Sequence, residues 1–200
     1  MKKMLLVLVF IFLFSSEFIS AQTTAYEDGF VVTKSGDTLY GQLKDRFEEP
    51  FGQLFKKIKL KVEGRWFPKR YSPSDLKAYQ KGSDYFETLW IQEGFEWFNL
   101  TYVSKVGLGE EVFMKVIVGG KLTYYQWEWR DPDSGFYRYT PLFKKRNNSE
   151  LVRVTQGLLD LRGKAVANYL QDDSELANRI RSGEQLSELD IVELYNKNQY

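Results

Sequence analysis

The sequence lacks two residue types that carry much of protein chemistry, since none of its 200 residues is a cysteine or a histidine. Without thiols and imidazoles, the chain cannot form a cysteine nucleophile, a Ser-His-Asp triad or a zinc site of thiolate and imidazole ligands. Disulfide bonds are excluded for the same reason. Carboxylates, hydroxyls, amines and amides are the groups left for catalysis, and we find no convergent set of them that predicts catalytic residues.

Neither sign of charge is in excess, because 28 basic residues stand against 27 acidic ones. The densest basic cluster, residues 144–146, is flanked by Asp133 and Glu150. Affinity for nucleic acids depends on clustered cations that neutralise phosphates, and here the two signs are interleaved along the chain. We therefore expect no nucleic-acid partner.

The one long hydrophobic run lies at the start of the chain, over residues 4–14. Lys2 and Lys3 precede the run, and a short polar stretch that ends in small residues at Ala21 follows it. This order is typical of a secretory signal peptide, whereas a membrane-spanning helix needs about 20 apolar residues. We predict a signal peptide over residues 1–21, cleavage after Ala21, and no transmembrane segment in the mature chain. The mature protein would then lie in the periplasm, at the cell surface or outside the cell.

Alternation of apolar and polar residues dominates from residue 29 to about residue 155 and predicts antiparallel strands. Three hairpins are indicated by their turn residues: 30–33 with 38–43, 112–118 with 121–129, and 142–146 with 151–155. For the second hairpin, a two-residue turn at Gly119 and Gly120 would place Val116 opposite Thr123. That hairpin would then have one apolar face, and a mixed face that is partly exposed to solvent.

Two further segments follow different patterns. Residues 55–62 place Ile58 and Leu60 on one side of a strand and lysines on the other. After Pro73, a short turn or helical segment is expected to carry Leu76 and Tyr79.

After residue 155 the apolar period changes from 2 toward 3.6, which predicts helices. We expect one helix over 158–170, a second over 174–182 that is capped by Asp172, and a third that begins at Ser187. Strands followed by helices are typical of an α+β fold. The prediction is an antiparallel β-rich body over residues 22–155, a sandwich or open barrel of about 8–10 strands. Two or three short helices over residues 156–200 would pack on it.

Four short segments of the chain carry a resemblance to other proteins. The first is a hydrophobic strand with a Gly-Asp-Thr turn, residues 29–41, and the others are residues 71–79, the hairpin at 119–120, and residues 169–180. With these segments the chain resembles a broad group of secreted Bacteroidota proteins of unknown function. Members would carry Cys-Pro in the last segment, where this chain has Asp173 and Ser174. The resemblance implies a β-rich exported protein of a Gram-negative cell, and it brings no activity and no functional residues.

Aromatic residues make up 16% of the chain, and several tryptophans lie near carboxylates. A candidate ligand surface is therefore formed by Trp90, Trp97, Trp127, Glu128, Trp129 and Asp131. A pair of carboxylates beside tryptophan would suit glycoside hydrolysis. The simpler interpretation, which we favour, is that strand alternation separates Glu128 from its neighbouring tryptophans and that the aromatic rings mostly fill the core.

The EF-hand signature fails, because a loop that began at Asp131 would need a glutamate where Leu142 stands, and for residues 131–135 we favour a turn between strands over a loose Ca²⁺ site. We therefore predict no metal site and no cofactor. The favoured hypothesis is a non-enzymatic envelope or cell-surface module that acts through contacts with an envelope protein. The alternative is a carbohydrate-binding protein, or a carboxylate-dependent glycosidase, that uses residues 90–131 to hold a glycan.

The predicted signal peptide can be tested by expressing the full chain with a C-terminal tag in a Gram-negative host. We expect the exported protein to begin at Gln22, which N-terminal sequencing would show. A Leu8→Asp variant should stay uncleaved inside the cell, because a charge interrupts the apolar run. An unprocessed wild-type chain in the cytoplasm would contradict the prediction.

Overall fold

The computed structural model describes residues 26–46, 57–96, 99–130, 137–156 and 159–198. The expected signal peptide, residues 1–21, lies outside the described residues. Within them, none of the helices is long and apolar enough to span a membrane.

Thirteen strands and three helices follow one another along the described chain. The strands are β1 (Glu27–Thr33), β2 (Thr38–Lys44), β3 (Ile58–Lys61), β4 (Lys69–Tyr71), β5 (Leu76–Lys81), β6 (Asp84–Glu96), β7 (Asn99–Val103), β8 (Glu110–Val118), β9 (Leu122–Arg130), β10 (Tyr137–Lys145), β11 (Glu150–Arg153), β12 (Thr155–Gln156) and β13 (Leu159–Leu161). The helices are α1 (Gly163–Tyr169), α2 (Ser174–Arg181) and α3 (Glu188–Asn198).

Eleven of the described strands form one antiparallel sheet in the order β4-β3-β2-β1-β5-β6-β7-β11-β10-β9-β8. Strand β8 also pairs with β6, so the six strands from β6 to β8 in this order close into a barrel. Strands β1 to β5 form an extension of the same sheet. The predicted α+β fold, a β body followed by C-terminal helices, is confirmed. The barrel is closed rather than open, and the described strands outnumber the expected ones.

The interior of the barrel forms one hydrophobic core. Its buried residues come from alternate positions of the barrel strands and are Ile91, Tyr102, Val112, Met114, Tyr125, Leu142 and Leu151. Because strand side chains alternate between faces, the neighbours of these residues point away from the barrel. Where these outward-pointing residues are themselves apolar, the outer side of the strand must be covered by another part of the fold.

Two covers lie on the outside of the barrel. The extension sheet packs its inner face, with Val31, Leu43 and Leu60, against Phe86 of β6 and Phe113 of β8. The helices cover a different part of the barrel, where they enclose Leu122, Tyr124 and Phe143. The helical residues of this third core include Val166, Leu170, Leu176, Ile180, Ile191 and Val192.

The hairpin of β8 and β9 differs from its predicted register. Val116 lies opposite Tyr125 rather than Thr123, because the connection is longer than two residues and a bulge follows Val116. Before the bulge the faces are as predicted, and Val112, Met114 and Val116 point into the barrel, but the bulge places Val118 opposite Tyr124 on the outer face. The opposite face is mixed as predicted: Lys115, Gln126 and Glu128 are half-buried, whereas Phe113 and Tyr124 are buried under the covers.

The segment after Pro73 also differs from the prediction. A single 3₁₀ turn, Pro73–Asp75, ends at once, and Leu76 and Tyr79 belong to strand β5 rather than to a helical segment. Strand β5 is hydrogen-bonded to β1 on one side and β6 on the other. These two ladders outweigh the local helical preference of the sequence.

The first helix begins later than predicted, whereas the second begins at Ser174 as expected. Residues 159–161 form β13, and α1 starts at Gly163. The cap of α2 is Asp173, whose side chain accepts a hydrogen bond from the Leu176 amide, and not Asp172. Asp172 instead accepts hydrogen bonds from Lys145 Nζ at 2.5 Å and from the Tyr195 hydroxyl at 2.6 Å. It therefore ties the helices to β10 and to each other.

Asn196 of α3 attaches the last helix to the start of β9. Its side-chain amide donates to the Leu122 carbonyl at 2.9 Å, and its Oδ1 accepts from the Leu122 amide at 2.9 Å. The same side chain lies so close to Gly120 that an added Cβ would be 2.3 Å from Asn196 Nδ2. A side chain at position 120 would therefore displace the amide of Asn196 from Leu122.

We expect Asn196→Ala to lower the free energy of unfolding by about 1–3 kcal/mol, because both backbone groups of the buried Leu122 lose a partner. Urea denaturation would measure the change. The neighbouring substitution Lys197→Ala, at an exposed position of the same helix, should change stability by less than about 0.5 kcal/mol. Equal stability of the two variants would show that Asn196 does not hold α3 on the barrel.

Candidate functional site

The tryptophans of the predicted ligand surface do not share one face of the sheet. Trp127 packs against the barrel core, where its ring lies edge-on to the ring of Tyr102 with centroids 6.1 Å apart. Trp90 alternates with Leu89 and Ile91, which belong to the barrel core or pack against it, so Trp90 lies on the outer side of β6. The wall of the barrel therefore separates the two rings.

The other members of that surface are only partly described. Trp97 and Asp131 lie outside the described residues, and for Trp129 only the strand position in β9 is described. Of the two carboxylates in the predicted ligand surface, the structure describes the contacts of Glu128. It accepts a hydrogen bond at 2.5 Å from Nη2 of Arg46, which follows strand β2.

Arg46 is the centre of a buried polar cluster between the extension sheet and the barrel. Its side chain is 8% exposed, and its Nε donates to Asp45 Oδ1 at 3.3 Å. The same Asp45 oxygen accepts a hydrogen bond from the hydroxyl of Tyr79 at 2.8 Å. The Tyr79 ring stacks on the Phe86 ring with centroids 4.4 Å apart. The Arg46 guanidinium lies over the Phe86 ring, 5.2 Å from its centroid.

The environment of this cluster shifts the pKa values of Arg46 and Tyr79 upward. Burial by itself would lower the pKa of Arg46, but the effects of Tyr79, Asp45 and Glu128 outweigh it and raise that pKa. Burial raises the pKa of Tyr79 well above its ordinary value, so the phenol stays a neutral donor. A permanent cation thus joins a carboxylate of the extension to a carboxylate of the barrel, and we interpret Glu128 as a structural residue.

The sequence carries no local signal for this cluster. Asp45 and Arg46 follow a strand without any motif, and Glu128 is more than 80 positions away from Arg46 along the chain. Among the described residues, no group of three or more acidic side chains is arranged to hold a metal ion.

A groove of about 760 Å³ lies elsewhere, on the outer face of the extension sheet. It is lined by residues that alternate with the buried ones of β1, β2, β3 and β5, and by the loop that follows β3. The lining includes the side chains of Phe30, Tyr40, Gln42, Lys61, Arg65 and Gln80.

Aromatic side chains stand at this groove. Phe30 and Tyr40 face each other across β1 and β2 with ring centroids 5.8 Å apart, and Tyr40 is 71% exposed. The loop that lines the groove continues into Trp66 and Phe67, which are 94% and 84% exposed. We call Tyr40, Trp66 and Phe67 the aromatic rim.

Two opposed glycines allow the strands beneath the groove to approach closely. Gly29 and Gly41 are register partners in β1 and β2. An added Cβ would lie 2.0 Å from the Gln80 carbonyl oxygen at Gly29 and 2.3 Å from the Lys61 carbonyl oxygen at Gly41. Neither position can accept a side chain without a shift of the neighbouring strand.

Comparison of the chain with protein-family models, with curated proteins and with solved structures finds no match. The resemblance to secreted Bacteroidota proteins therefore stays a prediction. The assignment of function depends on the chemistry of the surfaces described above.

The structural role of the buried cluster predicts a large effect of Arg46→Met. We expect a loss of about 1–3 kcal/mol in unfolding free energy, because the half-buried carboxylates of Asp45 and Glu128 lose the cation that they share. Arg65→Met, at an exposed arginine, should change stability by less than about 0.5 kcal/mol in the same denaturant titration. A midpoint for Arg46→Met equal to that of Arg65→Met would contradict the role given to Arg46.

Proposed function

We propose that the chain is an exported, non-enzymatic module that acts through contacts with a protein partner in the periplasm or at the cell surface. The observation that carries this proposal is the aromatic rim beside the groove of the extension sheet. Its three large side chains are exposed, although the chain buries most of its other described aromatic residues.

The composition of the rim is that of a protein interface. Tryptophan, tyrosine and arginine are the residues that contribute most binding energy in such interfaces. Here Arg65 directly precedes Trp66 and Phe67 in the loop after β3. Burial of a large apolar side chain is worth about 1.5–3 kcal/mol, and a partner that covers the rim would gain this energy at several positions.

A non-enzymatic role is supported by the way in which described carboxylates are used. Glu128 binds Arg46, and Glu87 accepts a hydrogen bond from the buried Tyr125 hydroxyl at 2.6 Å. Asp172 is held by Lys145 and by Tyr195. Each of these carboxylates stabilises packing between elements of the fold.

Export is supported by the sequence of residues 1–21, which has the charged start, apolar run and small-residue end of a signal peptide. The absence of cysteine is compatible with an oxidising compartment. Stability comes instead from three hydrophobic cores and from buried polar contacts.

A carbohydrate-binding role is the second candidate, and one observation favours it. An exposed tyrosine ring next to two side-chain amides, those of Gln42 and Gln80, suits a sugar that stacks and hydrogen-bonds at the same time. This site would lie on the extension sheet and not in the region of residues 90–131.

The proposed function can be tested by chemical crosslinking in cells that export the tagged chain, followed by mass spectrometry. We expect one specific envelope protein to be captured by the wild type and lost in Trp66→Ala and Tyr40→Ala. Val106→Ala and Tyr139→Ala are matched controls, because these side chains are 84% and 55% exposed but do not line the groove.

Recovery of the same protein by all four variants would contradict the proposal. Failure of the wild type and of every variant to capture a protein would contradict it as well. A shift of tryptophan fluorescence on titration with a glycan panel, if it is lost in Tyr40→Ala, would support the carbohydrate candidate instead.

A further inference from the structure

Arg153, the last residue of β11, points to the inner side of the barrel. Leu151, two positions earlier on the same strand, belongs to the barrel core. Leu142, the register partner of Arg153 in β10, belongs to that core as well. Residues two apart on a strand share a face, and so do residues directly opposite each other on paired strands. A cation therefore borders the hydrophobic core of the barrel.

The fold satisfies the guanidinium of Arg153 only in part. It donates a hydrogen bond to the hydroxyl of Tyr102. Its Nε, however, is buried and has no hydrogen-bond partner. Within the described part of the chain, no carboxylate forms an ion pair with Arg153. Buried polar groups of folded proteins are nearly always paired, so an unpaired N–H on a cation indicates a place where an anion can bind.

The barrel is open to solvent where these side chains lie. Glu93 follows Ile91 by two positions on β6 and lies directly opposite Tyr102, so it shares the inner face. It is nevertheless exposed, and the inner-facing Trp127 and Arg153 are half-buried. The interior of a small barrel is filled by side chains, so solvent reaches inner-facing residues at an end of the barrel. We call Glu93, Tyr102, Trp127 and Arg153 the barrel mouth.

Tyr102 joins the aromatic and the charged members of the barrel mouth. Its ring contacts the Trp127 ring edge-on, with centroids 6.1 Å apart, and its hydroxyl accepts the bond from Arg153. Burial, and then the charge of Glu93, raise the pKa of Tyr102, and this outweighs the opposite effect of the two nearby arginines. The phenol therefore stays protonated, and its O–H is a donor for a further acceptor.

We propose that the barrel mouth binds a small organic carboxylate, which accepts hydrogen bonds from Arg153 and Tyr102 and packs its apolar part against the ring of Trp127. Mouths of β-barrels are frequent ligand sites, and a few convergent polar groups beside an apolar wall are their usual lining. The inference goes beyond the proposed function, because this site lies in the barrel and shares no residue with the aromatic rim of the extension sheet.

A carboxylate fits this site better than a phosphate. The planar edge of a guanidinium matches the two oxygens of one carboxylate, and Nε is part of that edge. A phosphate monoester carries close to two negative charges, and Glu93 on the same inner face would repel it. Arg162, which also acts on Tyr102, has an interaction partner within the fold, so the assignment depends on Arg153.

The probe for this inference is benzoate, titrated by calorimetry against the full exported chain at constant ionic strength. We expect saturable binding to the wild type, and binding at least about tenfold weaker in Arg153→Met, which loses the charge-assisted hydrogen bonds. Arg146→Met, at an exposed arginine in the turn after β10, is the matched control and should bind like the wild type. Benzyl alcohol, which has the same ring without the charge, should not distinguish Arg153→Met from the wild type.

A second readout locates the site without a change to Arg153. The chain has five tryptophans, and nuclear magnetic resonance resolves their indole N–H signals. Benzoate should shift the signal that is missing from the spectrum of Trp127→Phe. Benzoate should also raise the melting temperature of the wild type and of Arg146→Met but not that of Arg153→Met, because a ligand stabilises the folded state that binds it. If Arg153→Met does not fold, Arg153→Lys takes its place, since lysine keeps the charge but has no planar guanidinium edge.

Any one of four results would overturn the inference. They are no binding of benzoate, equal binding by the wild type and the folded Arg153 variant, a shift of tryptophan signals that leaves Trp127 unchanged, and equal binding of inorganic phosphate or chloride. The last result would show a site for any anion rather than for a carboxylate. The capture of an envelope protein through the aromatic rim is measured separately, so the two proposals stand or fail independently.

Discussion

Strand β6 is the element on which the rest of the fold depends, because both parts of the sheet share it. Its first half is hydrogen-bonded to β5 of the extension and to β8 of the barrel, and its second half is bonded to β7. One face carries Phe86 into the core under the extension, and the other carries Ile91 into the barrel. A change of register in this strand would exchange the two faces and disrupt both cores at once. The Arg46 cluster reinforces the same junction from the side.

Patterns of short range predicted much of this architecture. The hairpin at Gly36, the strand with Ile58 and Leu60, and the helix that begins after Ser187 all follow from local spacing and turn chemistry, and the structure confirms them. Predictions failed where distant partners decide. Residues 76–81 form a strand because two neighbouring strands bind them, and Phe113 and Tyr124 on the outer faces of β8 and β9 are buried because the extension and the helices cover them.

The surfaces that matter for function were harder to predict, for a physical reason. The sequence showed Lys59 as one of several lysines on the wet side of a strand, but its position between Lys44 and Arg70 depends on the register of three strands. Likewise, Glu128 looked like a carboxylate among tryptophans until its bond to Arg46 was seen. Strand pairing can thus place like charges side by side even where the two signs are interleaved along the chain.

Barrel closure has a further consequence for the protein at high concentration. Because β8 pairs with β6, strand β4 is the one strand of the eleven-stranded sheet, among the described residues, that is bonded on a single side. Open edges invite other chains to add strands and so to polymerise. Strand β4 is three residues long, lies between Pro68 and Pro73, and contains Lys69 and Arg70. Its shortness, its flanking prolines and its positive charge each oppose such growth, so this edge of the eleven-stranded sheet is protected against fibre formation.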